Sequence, residues 1–138
     1  MAVLNMIGVL NNGSRLDESL VPTNPRTPIR YTVGSSLTIN VALLYPDGQA
    51  VDLTNGSPVT TLTVKITSDD DTPQEKITGT ILGQPTAGIV TFALVPTAFR
   101  TLDPGRYIYD IWLVQSGNRD PVIPASPFYL EPTVLARP

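Results

Sequence analysis

From residue 30 onward, apolar and polar positions alternate with a period of two. Leu37, Ile39, Val41 and Leu43 are interleaved with Thr38, Asn40, Ala42 and Leu44. Every second side chain of a strand lands on one face, so this run predicts a strand with one buried side. Pro46-Asp47-Gly48 follows. The proline suits the first corner of a turn and the glycine can take positive φ. The pattern predicts six further strands. A short one covers Ala50-Val51-Asp52-Leu53. The next runs through Leu62, Val64 and Ile66 and ends at Asp69-Asp70-Asp71-Thr72-Pro73. A fourth spans Glu75 to Leu82, with Ile77 and Ile81 on one side. Thr86-Ala87-Gly88 turns into a fifth, where Val90, Phe92 and Leu94 alternate with Thr91 and Ala93. The sixth is Arg106 to Gln115. After Ser116-Gly117-Asn118 the seventh runs from Val122 to Leu130. No long stretch carries a helical repeat; Pro96 to Leu102 offers one or two turns at a crossover. Seven short strands cut by turn signals predict an all-β sandwich of two sheets.

Asp103-Pro104-Gly105-Arg106-Tyr107 has the spacing of a tyrosine corner, in which the hydroxyl bonds back to nearby backbone and pins a crossover. Asp103, Gly105 and Tyr107 are therefore the expected structural residues. The corner also sets the phase of the sixth strand. Tyr107, Tyr109, Ile111 and Leu113 face inward, and Ile108, Asp110, Trp112 and Val114 face outward. Trp112 is the only tryptophan. Beside Ile108 and Val114 it would form exposed apolar surface of the kind that marks an interface. The alternative is the opposite phase, with Trp112 in the core.

Residues 1–30 read as an N-terminal arm, and residues 31–138 as the sandwich domain. Pro22, Pro25 and Pro28 favour an extended path. Asn11-Asn12-Gly13 would suit a hairpin turn after residues 2–10. Val3, Leu4, Met6, Ile7, Val9 and Leu10 are costly to leave in water. The arm is thus expected to reach an adjacent subunit and pair by strand addition. Folding back on its own domain is the alternative. Pro121, Pro124 and Pro127 cannot donate to a ladder, so their segment should lie at a sheet edge or run as polyproline.

Composition narrows the chemistry. The 138 residues make one ordinary domain. Charged residues are 15% of the chain, below the roughly 25% usual for soluble domains, which suggests surface covered by something. Net charge is −3, giving no electrostatic reason to bind nucleic acid or an anionic membrane. The apolar start has no basic n-region, so no signal peptide is expected, and no apolar run approaches a membrane span. There is no Cys and no His. Disulfides, thiolate nucleophiles, the usual zinc sites and every Ser-His pair are excluded. Asp69-Asp70-Asp71 could supply oxygen ligands to a cation, but no further acid sits at a calcium-loop spacing, and a solvated turn is the simpler reading. Asp103 and Asp110 could be proposed as a glycosidase pair; the turn and the outward strand face already explain them. No catalytic residue, metal site or cofactor is expected.

Several segments together resemble the immunoglobulin-like domain at the N-terminus of phage baseplate upper proteins, and small phage structural proteins related to it. They are Val33-Gly34-Ser35-Ser36-Leu37, Tyr45-Pro46-Asp47-Gly48-Gln49-Ala50-Val51-Asp52-Leu53-Thr54, Ala87-Gly88-Ile89-Val90-Thr91-Phe92 and Pro104-Gly105-Arg106-Tyr107-Ile108-Tyr109-Asp110. The resemblance covers about residues 33–131 and leaves the arm uncovered. It implies an immunoglobulin-like β-sandwich in a non-enzymatic virion structural protein, assembled in the bacterial host cytoplasm. Its partners would be other virion proteins, in a homo-oligomer or larger assembly of the tail or baseplate. Capsid decoration uses the same physics. A carbohydrate-binding or adhesin module is the alternative from another class, and requires an aromatic platform around Trp112 and Tyr45.

Overall fold

The computed structural model describes residues 2–10, 28–66, 75–97, 99 and 102–132. Its strands are β1 (Ala2–Val9), β2 (Ile29–Thr32), β3 (Leu37–Leu44), β4 (Val59–Lys65), β5 (Glu75–Thr78), β6 (Thr80–Ile81), β7 (Ile89–Leu94), β8 (Gly105–Gln115) and β9 (Asn118–Glu131). A four-stranded sheet has the order β1-β3-β7-β6, and a five-stranded sheet the order β2-β9-β8-β4-β5. The chain is all-β, and the two sheets form a sandwich over one core.

Alternation decides which side chains enter that core. Leu37, Ile39, Val41 and Leu43 are buried from β3, Leu62 and Val64 from β4, and Val90, Phe92 and Leu94 from β7. Tyr109, Ile111 and Leu113 are buried from β8. Phe99 links two aromatic neighbours, with its ring centroid 5.5 Å from that of Tyr31 and 5.1 Å from that of Phe128. The buried Tyr31 hydroxyl lies 2.7 Å from the Ser35 carbonyl and 2.8 Å from the Val95 carbonyl, tying β2 to the chain after β7. Burial pushes the Tyr31 and Tyr109 hydroxyls above the ordinary tyrosine range, so both stay neutral donors.

The arm expected at residues 1–30 is corrected over its described parts. β1 pairs in parallel with β3 of the same chain, from Ala2 opposite Leu37 to Val9 opposite Leu44. Met6, Val9 and Leu10 are buried in the domain's own core, and Leu4 packs against it. Ile29 and Arg30 belong to β2, which pairs in parallel with the end of β9. The physical reason is the apolar content of residues 2–10, which a neighbouring edge of the same sandwich covers without a second subunit. Val3 and Ile7 point away from the core and are 55% and 48% exposed. The Asn11-Asn12-Gly13 turn, Pro22 and Pro25 lie outside the described residues, as does Asp69-Asp70-Asp71.

Two other strands differ from expectation. Residues 50–53 form only a bridge between Ala50 and Leu44. Val51 and Leu53 are nonetheless buried, and their N–H groups donate to the carbonyls of Leu43 and Pro85. The strand expected over Glu75–Leu82 divides at Gly79, with β5 pairing to β4 and β6 pairing to β7 in the opposite sheet. At Gly79 the chain passes between the sheets so tightly that a Cβ would lie 2.3 Å from the Thr60 Oγ1 and 2.9 Å from the Phe92 ring.

The β8–β9 hairpin turns through Ser116 and Gly117, at φ 52° and 81°. Positive φ at both residues gives a turn whose twist matches that of its strands. Two irregularities interrupt the ladder, because Tyr109 and Ile111 face Ser126 and Ile123, while Trp112 faces Pro121. Extra residues bulge out on β9, which lets the successive residues Val122 and Ile123 both enter the core. β2 pairs only with Phe128–Glu131 of β9. Pro121, Pro124 and Pro127 all lie before that stretch, where no strand among the described residues pairs with the outer edge of β9, in keeping with their missing N–H groups.

Candidate interaction face

The tyrosine corner forms. The Tyr107 hydroxyl donates to the Asp103 carbonyl at 2.6 Å, across the turn that opens β8. Asp103 takes part through its backbone. Around Gly105, nothing lies within 4 Å of where a Cβ would stand. With this phase fixed, Tyr109, Ile111 and Leu113 point into the core. Ile108, Asp110, Trp112 and Val114 are half-buried on the outer face of the five-stranded sheet.

Trp112 stands at the centre of that face. Its cross-strand neighbours are Thr61 on β4 and Pro121 on β9. The Arg119 guanidinium lies 5.6 Å from its ring centroid, within reach of a cation–π attraction. A groove of about 310 Å³ runs beside the ring, lined among others by Thr63, Lys65, Lys76, Asp110 and Arg119. Farther along the same face, the Arg30 guanidinium sits 4.5 Å from the Tyr129 ring centroid and pairs with Glu131 at 3.0 Å.

Charge is sorted by surface. Facing residues in adjacent strands share a side, so the pairing registers place Arg30, Lys65, Lys76, Arg106 and Arg119 all on this outer face. These are all the lysines and arginines among the described residues. Among the described residues, Asp110 and Glu131 are the carboxylates on the same face. The outer face of the four-stranded sheet carries no charged side chain among the described residues. There Val3 and Ile7, Ala42 and Leu44, and Ile89 and Ala93 are spaced by threonines and asparagines. Asp47, Asp52 and Asp103 occupy loops.

A second cleft, of about 370 Å³, lies at one end of the sandwich and includes Leu10, Tyr45, Asp52, Asn55, Gln115 and Asp120 in its lining. Gln115 Nε2 donates to the carbonyls of Asp52 and Asn55, each at 2.8 Å, and so braces the long β3–β4 loop. Hydrogen bonds from Thr54 hold the Asp52 carboxyl below its usual range. Tyr45 lines this cleft and Trp112 the other, with no lining residue in common. The aromatic platform that a glycan-binding reading required is therefore not assembled. Asp103 and Asp110 are likewise not brought together, since one lies in the turn before β8 and the other in mid-strand opposite Thr63. Asp103, Gly105, Tyr107, Ile108, Trp112 and Val114 fall where the strand phase places them. The sorting of cations onto one face was missed. The alternation of Lys65, Arg106, Arg119 and their neighbours carried that signal once the strands were phased.

No family model matches the sequence, and no curated protein matches it. Among solved structures, the N-terminal domain of ORF48 of phage TP901-1 is similar over 96% of this chain and 98% of its own, with a TM-score of 0.50 at 10% identity. An uncharacterized protein from Bacillus anthracis str. Ames covers 75% of the chain and 77% of its own, with a TM-score of 0.40 at 8% identity. A multicopper oxidase matches 94% of the chain and 43% of its own, with a TM-score of 0.37 at 14% identity. The chain shares its fold with a phage protein domain over 96% of its length.

Proposed function

We propose that the chain is a non-enzymatic structural component of a tailed-phage virion, joined to other subunits in the tail or baseplate through the outer face of its five-stranded sheet. The observation that carries this reading is the likeness to the phage TP901-1 ORF48 domain, which extends over nearly the whole of both chains. The Trp112 face supports it. A half-buried aromatic ring flanked by Ile108, Val114 and arginine has the composition of an interface centre. The sequence contains no His or Cys to activate a nucleophile. No helix among the described residues is long and apolar enough to cross a membrane. Capsid decoration would place the same face against a different neighbour.

Quantitative mass spectrometry of tailed particles, purified from the phage or prophage that encodes the chain, tests the proposal. A fixed copy number per particle, retained through density-gradient purification, is the expected result. Particles lacking the protein would overturn it.

A further inference from the structure

We infer that the outer face of the five-stranded sheet docks an acidic protein surface, one that sets discrete carboxylates around an apolar residue seated beside Trp112. The inference rests on the reading of that face as an assembly interface and adds the chemistry of the partner. A chain of net charge −3 gathers all its described cations on one face, against the carboxylates of Asp110 and Glu131. Glu131 is already engaged by Arg30. Lys65, Lys76 and Arg119 converge on the Trp112 groove, where Asp110 is the carboxylate among the lining residues. Like charges gathered in this way repel one another, and a partner of opposite sign relieves that repulsion. At about 4.8 Å between strands and about 3.3 Å per residue, the five strands, which run from four residues in β2 and β5 to fourteen in β9, make a face of roughly 600 Å². That is on the scale of the roughly 800 Å² that each partner contributes to a stable interface.

The same face argues against a continuous polyphosphate. Asp110 stands inside the groove and would oppose a chain of evenly spaced anions. The near side of the Trp112 ring is taken by Arg119, which leaves less of it for a stacked base. Ile108, Val114, Pro121 and Pro127 put apolar surface between the cations. This mosaic suits a protein, whose acids are separate and whose apolar residues fill the gaps.

Trp112 is the only tryptophan, so its fluorescence reports on the groove directly. The probe is a synthetic peptide with glutamates spaced around a central leucine, with duplex DNA as comparator, titrated into the full chain. The acidic peptide should shift Trp112 emission, with a midpoint that weakens at least about tenfold between about 20 mM and about 200 mM salt. The double variant Lys65→Glu/Lys76→Glu should lose the response at an unchanged melting temperature. If it does not fold, Lys65→Gln/Lys76→Gln removes the charge without adding repulsion, and should also lose it. Three results overturn the inference: no response from the wild-type chain, a response retained in the charge variants, or DNA bound as tightly as the acidic peptide. The virion reading fails separately. A charge variant that enters particles at the wild-type level sinks the acidic partner alone, whereas particles lacking the wild-type protein sink the virion role alone.

Discussion

Arg119 on β9 reaches diagonally across the hairpin to Trp112 on β8, placing its guanidinium 5.6 Å from the ring centroid. The contact holds the ring on the outer face without burying it. Arg119→Ala should therefore cost only about 0.5–1 kcal/mol of stability, read from chemical denaturation, and should redden Trp112 emission by admitting water to the ring. A much larger loss would mean that the ring is a core element.

Met6 and Ile7 are adjacent on β1 yet 6% and 48% exposed. Met6→Ala should destabilise the fold by about 2 kcal/mol or more, while Ile7→Ala should stay within about 0.5 kcal/mol. Equal effects from the two, measured by urea unfolding, would contradict the placement of β1 against β3.

Gly79 is needed for space. A methyl group there would strike Thr60 Oγ1 and the Phe92 ring, on residues that are both buried. Gly79→Ala should cost about 1–3 kcal/mol through overpacking where the chain changes sheets. A melting temperature equal to that of the wild type would show that the crossover yields.

The Tyr107 hydroxyl bonds to the backbone of Asp103 and not to its carboxylate. Tyr107→Phe should cost about 1 kcal/mol, and Asp103→Ala should leave the bond intact and change stability by less than about 0.5 kcal/mol. Comparable losses in both variants would point to a side-chain role for Asp103 that the corner lacks.

Strand phase was legible wherever one face met the core and the other met water. β3 is the clearest case, because Leu37 to Leu43 alternate with polar or smaller residues and the strand has one buried side. The phase of β8 followed from Tyr107, and with it the outward position of Trp112. β1 was hidden for the opposite reason. Val3, Leu4, Met6, Ile7, Val9 and Leu10 give an almost unbroken apolar run, which no period-two template registers. Its pairing with β3 is parallel and distant in sequence, so no short turn announces it. The division at Gly79 was equally silent, because Ile77 and Ile81 read the same whether one strand or two carry them. The cationic face needed the registers of four strand pairs before its members could be seen as neighbours.

Complementation of particle assembly tests whether the chain joins its neighbours through the Trp112 face. Cells lacking the gene would be supplied with either the wild-type chain or Trp112→Ala, and the protein retained in purified particles would be quantified. The wild-type chain should be incorporated at a fixed copy number. Trp112→Ala, folded to the same melting behaviour within a few degrees (about 1 kcal/mol for a domain of this size), should be lost from particles at least about tenfold, as removal of an interface anchor predicts. Incorporation of Trp112→Ala at the wild-type level would contradict assembly through the outer face of the five-stranded sheet.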